Sequence, residues 1–297
     1  MNKQLRGTLL LTLTAIIWGV AFVAQSVGMD HVGPWTFICT RYILGMLVLL
    51  PVICIGTKKR LSEGKGTVLD PDIRKNTFIG GILCGIFLFS ASLFQQYGII
   101  YTSVGKAGFI TALYIIIVPL LSIFLHRKIG LNEWISAIIA TAGFYVLSIT
   151  GQTKVNIGDL LILVCALLFS MQIMTIDRFV DKVDPVAMSC VQFFVCVIFG
   201  MFGMLIIEKP DMSSIIAAGM PILYAGLLSS GAGYTLQILG QRDLPPTVAS
   251  LLMSLESVFS ALAGFIILHQ TLSVRELTGC ALVFTGVILA QIKINNK

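Results

Sequence analysis

Charged residues are scarce in this chain. Asp, Glu, Lys and Arg make up 11% of its 297 residues against 57% hydrophobic ones, and the mean hydropathy is +0.95. A water-soluble globule of this size could not hide so much apolar surface, so the chain belongs in a bilayer. Enzyme motifs are missing too: there is no His-Glu-x-x-His, no Gly-x-Ser-x-Gly and no glycine-rich phosphate loop ending in Gly-Lys-Ser/Thr. No ATPase domain is present, which excludes transport driven directly by ATP within this chain. Proteolysis by paired aspartates would need two buried Asp, whereas Asp159, Asp177 and Asp181 fall at the ends of apolar stretches. The seven cysteines (Cys39, Cys54, Cys84, Cys165, Cys190, Cys196 and Cys280) all lie inside such stretches, with no Cys-x-x-Cys spacing. Disulfides, a metal site and a cofactor are therefore not expected.

The chain does have long hydrophobic runs. A helix needs about 20 mainly apolar residues to cross the hydrocarbon. Ten stretches qualify, at roughly 7–27, 34–55, 77–97, 105–125, 132–150, 157–176, 185–207, 215–238, 246–268 and 274–292. Their continuous apolarity favours an all-α membrane protein over a barrel, whose strands would alternate. The first stretch is too long for a signal-peptide core and lacks a small-residue cleavage site, so it reads as retained. The basic balance, with a net charge of +6, would suit nucleic acid, but its distribution argues against that. With the N-terminus placed inside, fifteen of the twenty Lys and Arg fall on that side, and Lys106, Lys154, Lys209 and Arg275 on the other. By the positive-inside rule both termini are cytoplasmic. Anionic lipid is a second partner for the basic excess.

Two segments 151 residues apart share a layout. Asp30-His31-Val32-Gly33-Pro34 with Cys39 and Arg41 matches Asp181-Lys182-Val183-Asp184-Pro185 with Cys190 and Gln192. Gly7 and Ala15 fall on Gly158 and Ala166 at the same offset. Further on the offset becomes 143, pairing Leu125-His126 with Leu268-His269, Glu133 with Glu276 and Gly143 with Gly286. A charged loop from about Gly56 to Asn76, longer than its counterpart near Glu208 to Ser214, accounts for the difference. The chain therefore divides into units 1–152 and 153–297, each with five spans. An odd number forces the second unit to enter from the opposite face, which makes the repeats inverted. Two inverted halves can enclose a midplane site that opens to each face in turn.

Ionisable groups inside a span cost about 2.5–3.5 kcal/mol on insertion scales, so each calls for a function. Two are deep, Arg41 in the second stretch and Glu256 in the ninth. Arg41 has three readings: it binds an anionic group, it pairs with Glu256 or backbone carbonyls, or it snorkels to an interface. Glu256 has two: a proton or cation relay, since a carboxyl group removed from water favours its neutral form, or a packing hydrogen bond to nearby serines such as Ser260. Residues three, four and seven apart share a helix face. Thr14, Trp18, Phe22 and Gln25 form one such row, and Ser230, Tyr234, Gln237 and Gln241 another. Both rows are expected to face the bundle centre. Gly80, Gly81, Cys84 and Gly85, and Gly226, Gly231 and Gly233, suit close helix contacts.

The chain resembles the drug/metabolite transporter superfamily, specifically the EamA-domain family of ten-helix transporters. The resemblance lies in Trp18-Gly19, Pro34 with Arg41, Tyr101-Thr102-Ser103 with Lys106-Ala107-Gly108-Phe109, Tyr114 to Pro119, Gly143, Gly158-Asp159, Pro245-Pro246-Thr247 and Ser254-Leu255-Glu256-Ser257. It covers nearly the whole chain. Ser257 stands where Pro is expected, and His269-Gln270 where the pattern has an acidic residue. The resemblance places Gln95, Gln96, Tyr97, Lys106 and Tyr114 on helices around a cavity, with Gln172 as the matching polar residue of span six. Tyr97 and Tyr101 also suit interfacial aromatics, Lys106 an outward snorkel and Trp18 simple packing. The implied function is secondary transport, not an enzyme activity, moving a small polar or amphipathic metabolite such as an amino acid across the cytoplasmic membrane. Proton or ion coupling is an option within that reading, and a non-transporting sensor or scaffold on the same fold is the alternative.

Overall fold

A computed structural model describes residues 2–64, 66–102, 104–126, 129–148, 156–267 and 274–291. The sequence comparisons at Leu268-His269 and His269-Gln270, and the charges at Lys65, Arg127, Lys128, Lys154, Lys293 and Lys297, lie outside the described residues, as does Ser103.

Among the described residues the structure is helical throughout, with no strand. The long helices are α1 (Lys3–Met29), α2 (Pro34–Ser62) and α3 (Pro71–Tyr101). A broken span follows, α4 (Val104–Thr111) and α5 (Tyr114–Phe124), and then α6 (Leu131–Ser148) and α7 (Ile157–Phe179). Helix α8 (Pro185–Gly203) ends in a π-helical turn at Met204–Glu208. After the short α9 (Met212–Ala217), one span is built from α10 (Gly219–Leu223), eleven π-helical residues at Tyr224–Tyr234, and α11 (Thr235–Gln241). A second broken span, α12 (Pro246–Met253) and α13 (Glu256–Ile267), precedes α14 (Val274–Gln291).

Helix starts follow local chemistry. Proline opens α2, α3, α8 and α12, where its missing N–H costs nothing. Asn156 and Asp159 form a capping box at the start of α7. Eight helical segments among the described residues are long and apolar enough to cross a membrane. Helices α6 and α14, on the other two expected spans, have 18 residues each. The described residues stop at Ser148 after α6 and at both ends of α14, so these lengths set no limit on either helix. Their first turns also carry Asn132 with Glu133, and Arg275 with Glu276.

Burial is inverted relative to a soluble protein. Leu5, Leu9 and Leu13 of α1 are 51%, 53% and 47% exposed, while Thr14 and Gln25 on its other face are buried. Helix α1 packs along α13, α2 along α8, α3 along α7, and α6 along α14. Each long helix before residue 149 thus lies against one from after residue 156.

Polar joints fasten these pairs at the helix ends. Where the chain starts, Arg6 donates from Nε (2.6 Å) and Nη2 (2.9 Å) to the carboxylate of Asp243, just past α11. At the same end Arg60 of α2 donates to Asp184 Oδ2 at 2.6 Å, and Asp184 caps α8 through Val186 N and Ala187 N. At the opposite end Lys106 and Thr102 both donate to Asp159, at 2.6 and 3.0 Å. There Glu208 accepts from Trp35 N, Thr36 N and Thr36 Oγ1 at 2.9, 2.8 and 2.7 Å. Gly33, at the N-cap of α2, has no side chain to cap with, so a carboxylate from the far half of the chain does it.

Replacing Glu208 by Ala should destabilise the protein by about 1–3 kcal/mol, because two backbone donors and a hydroxyl lose a charged acceptor. Thermal unfolding in detergent measures this, with Glu208→Gln expected to fall between the two.

Candidate functional site

A chamber lies in the middle of the bundle, walled by seven spans. From α1 come Trp18, Phe22 and Gln25, from α2 Arg41, and from α3 Gln95. The remaining walls are Thr111 and Tyr114 at the α4–α5 break, Phe169 and Gln172 on α7, Ser229, Tyr234 and Gln237 on the π-helical span, and Met253 and Glu256 at the α12–α13 break. Its free volume is about 30 Å³, room for one or two waters and too little for a metabolite.

Arg41 is 2% exposed. Its guanidinium donates to Ser230 Oγ (3.2 Å), Ser229 Oγ (3.1 Å) and Gln25 Oε1 (3.4 Å), and sits 5.0 Å from the centre of the Tyr42 ring. All these partners are neutral, so the positive charge stays uncompensated at the chamber wall. Glu256, 3% exposed, accepts from Tyr114 Oη at 3.0 Å. No ion pair joins Arg41 to Glu256 among the described residues, and the guanidinium is not at an interface. Ser260 does not hold Glu256 either; its hydroxyl has no partner.

The walls between the two charges are amphipathic. Trp18 and Tyr234 have ring centroids 4.8 Å apart, and Trp18 Nε1 donates to the Ser229 carbonyl at 3.1 Å. Gln172 and Gln237 exchange hydrogen bonds at 3.3 and 3.1 Å, and Gln172 also reaches Gln192 at 3.4 Å. The neutral counterpart of Arg41 is thus part of the same polar layer.

Both broken spans turn at the chamber. In α12–α13 the hydroxyls of Ser250, Ser254 and Ser257 bond to carbonyls three residues back, at 2.9, 2.7 and 2.8 Å. Serines bonding back in this way compete with the helical ladder. The backbone tightens there, with Ser257 N bonding Ser254 O and Leu255 N bonding Leu252 O. Tyr114 and Glu256 are the first residues after the two breaks, and they touch.

The chamber gathers Trp18, Phe22, Gln25, Arg41, Tyr114, Gln172, Tyr234, Gln237 and Glu256 from the sequence reading. Gln96 and Tyr97 stand elsewhere. Gln96 is buried with Nε2 3.3 Å from Met29 Sδ, and Tyr97 accepts from Trp35 Nε1 at 2.9 Å and lines an outer groove with Tyr101. The reason is helical phase: Gln95 faces the chamber, and one or two further residues rotate about 100° or 200° away. Lys106 is held at a bundle end by Asp159. Ser229, Thr111, Phe169 and Met253 were not anticipated. The π-helical i, i+5 register that stacks Ser229 with Tyr234 departs from the 3.6-residue row, and the two apolar residues look like any others in an apolar run.

The family model described as the EamA-like transporter family matches residues 5–149 and again 156–291. An uncharacterized transporter of Archaeoglobus fulgidus is 27% identical over 294 residues, covering 98% of this chain and 88% of that protein. The uncharacterized transporter YoaV of Bacillus subtilis is 23% identical over 297 residues, covering 97% of each. A solved crystal structure superimposes with a TM-score of 0.77 at 19% identity, over 96% of this chain and 98% of that one, which shows a shared fold.

Tyr114→Phe should remove the one donor that Glu256 has among the described residues and cost about 1–3 kcal/mol, read as a lowered unfolding temperature. Gln96→Leu, outside the chamber, should leave solute-dependent stability shifts unchanged.

Proposed function

The chain belongs to the EamA-like transporter family, and on that premise we propose that the chamber between Arg41 and Glu256 is the solute site of an alternating-access secondary transporter. The protein is a multi-pass membrane transporter. In the proposed arrangement α6 and α14 complete ten spans, and units 1–152 and 153–297 are inverted five-helix repeats in the cytoplasmic membrane, with both termini inside. Such repeats form a midplane site at discontinuous helices and expose it to each face in turn.

The observation that carries this reading is the guanidinium of Arg41, buried at the chamber wall with only neutral partners. A desolvated cation of this kind attracts an anionic group, and a planar guanidinium can take a carboxylate with two parallel hydrogen bonds. Trp18, Phe22, Phe169 and Tyr234 supply apolar surface, and the glutamines and serines supply hydrogen bonds. The solute is therefore a small polar or amphipathic metabolite with an anionic end, such as an amino acid. Glu256, bonded to Tyr114 between two half-helices, is the coupling group: it takes up and releases a proton as its access to water alternates. Joints at both ends of the bundle and the small free volume fit an occluded state.

Reconstituted vesicles test this. A saturable flux with counterflow is the expected outcome, and no flux across a broad metabolite panel would point to a sensor or scaffold instead. Arg41→Lys should weaken binding of anionic solutes by about tenfold or more, since the ammonium cannot form the two-pronged contact. Glu256→Gln should abolish the response to a proton gradient while leaving counterflow intact; a surviving response would remove Glu256 from coupling.

A further inference from the structure

Helix α13 packs against α1 and α4. Several glycines in this bundle mark close helix contacts: a Cβ on Gly98 would lie 2.5 Å from Ile162 Cδ1, and one on Gly240 would lie 2.7 Å from Leu11 Cδ2. Two glycines of α4 do not. A Cβ on Gly108 would meet nothing nearer than 3.5 Å, and one on Gly105 nothing within 4 Å. Glycine inside a helix weakens it relative to alanine, so these two cost stability without bringing any neighbour closer. What they leave is room about the size of a methyl group on the side of α4 that faces α13.

A hydroxyl points into that room. Ser260 Oγ lies 3.5 Å from where the Gly108 Cβ would be, and Ser257 Cα 3.6 Å. Ser260 is 1% exposed, and its hydroxyl has no partner among the described residues, whereas Ser250, Ser254 and Ser257 all bond back to carbonyls. It stands one turn beyond Glu256 on the same face of α13. On α4, Gly105, Gly108 and Thr111 follow at three-residue spacing along one side, and Thr111 lines the chamber. A narrow seam between α4 and α13 therefore runs from Thr111 and Glu256 at the chamber, past Gly108 and Ser260, to Gly105. There it reaches the end of the bundle where Lys106 is bound to Asp159. A buried hydroxyl is costly to leave unpaired, and a site of this size with polar groups beside it suits water.

We propose that this seam is the proton path of Glu256: a short file of water between α4 and α13 connects its carboxyl group to the Lys106 end of the bundle, and Ser260 holds the water next to it. The proposal rests on Glu256 being the coupling group. Each water, and the Ser260 hydroxyl, accepts one proton and passes one on, so the net change is one proton added to a Glu256 carboxylate oxygen and none to the path. Room of this size admits water but no metabolite, so on this side the proton and the solute travel separately. The groups around Glu256 leave it as the acceptor. Tyr114 of α5 donates to it, the Cys165 thiol of α7 lies within electrostatic reach, and Arg41 stands elsewhere on the chamber wall. Of the two helices packed on α13, α4 carries only Lys106, bound to Asp159, and α1 only Lys3 and Arg6 at its far end, with Arg6 bound to Asp243.

Time-resolved infrared spectroscopy of the protein in vesicles tests this without a solute. When ordinary water is exchanged for heavy water, the C=O band of a protonated carboxyl group shifts as its proton is replaced, and Glu256→Gln identifies the band that belongs to Glu256. Ser260→Ala removes the hydroxyl, and Gly108→Ala fills the seam with a methyl group that meets its neighbours at ordinary contact distance. Each is expected to slow exchange at Glu256 by about fivefold or more, the effect of losing one hydrogen bond along the path. Ser136→Ala, which removes another buried and unpartnered hydroxyl, on α6, should leave the rate unchanged. Exchange at the parent rate in both seam variants would overturn the path while leaving Glu256 as the coupling group. Equal slowing in all three variants would overturn it too, as a general loosening of the bundle. An exchangeable Glu256 band missing at every pH would remove Glu256 from coupling, and the path with it. Alanine favours the helix at Gly108, so this variant keeps the test decisive if Ser260→Ala folds poorly.

Discussion

A positive charge in the middle of a bilayer has to be met by protein, because no bulk water is there to meet it. Arg41 sets this requirement, and much of the bundle is arranged to meet it. Its guanidinium reaches Ser229 and Ser230 only because α2 and the π-helical stretch approach at glycine: a Cβ on Gly45 would lie 2.8 Å from Ser230 Cβ, and one on Gly226 would lie 2.6 Å from Leu44 Cβ. The wide π register turns Ser229 and Tyr234 toward the same side. One buried charge thus sits where a close helix contact, a departure from α geometry and the polar side of the chamber wall meet.

The second charge is treated differently. Glu256 is positioned by an interruption of the helix at its own N-terminal side, and its partner Tyr114 stands just after the corresponding interruption in the other half. The breaks lie 142 residues apart, whereas the sequence offset of 143 aligns Glu256 with Leu113. A one-residue change in register on a helix is a rotation of about 100°. It separates a tyrosine hydroxyl in contact with the carboxylate from a leucine that has nothing to offer it.

That contrast shows what could be read from the chain. Hydropathy located the eight helical segments that are long and apolar enough to cross a membrane, since apolar runs of this length have few other uses, and the rows Trp18, Phe22, Gln25 and Tyr234, Gln237 were legible because polar residues in register on an apolar helix are conspicuous. Arg41 and Glu256 stood out for the same reason. Placement failed where it depended on phase: Gln96 and Tyr97 are adjacent to the chamber residue Gln95 in sequence and turned away from it in space. It also failed where the helix ceased to be regular, at the serine-rich break before Glu256 and along Tyr224–Tyr234, because a fixed 3.6-residue period cannot anticipate its own exceptions.

Glu208 caps a helix that begins 173 residues before it. At a synthesis rate of about 5–20 residues per second, roughly 10–30 s separate the appearance of Trp35 and Thr36 from that of their acceptor. During that interval the N-terminus of α2 holds two uncapped amides at the membrane surface, served only by water and headgroups. The first half of the chain therefore enters the bilayer unfinished, and its final position is fixed by a residue that the ribosome has yet to make.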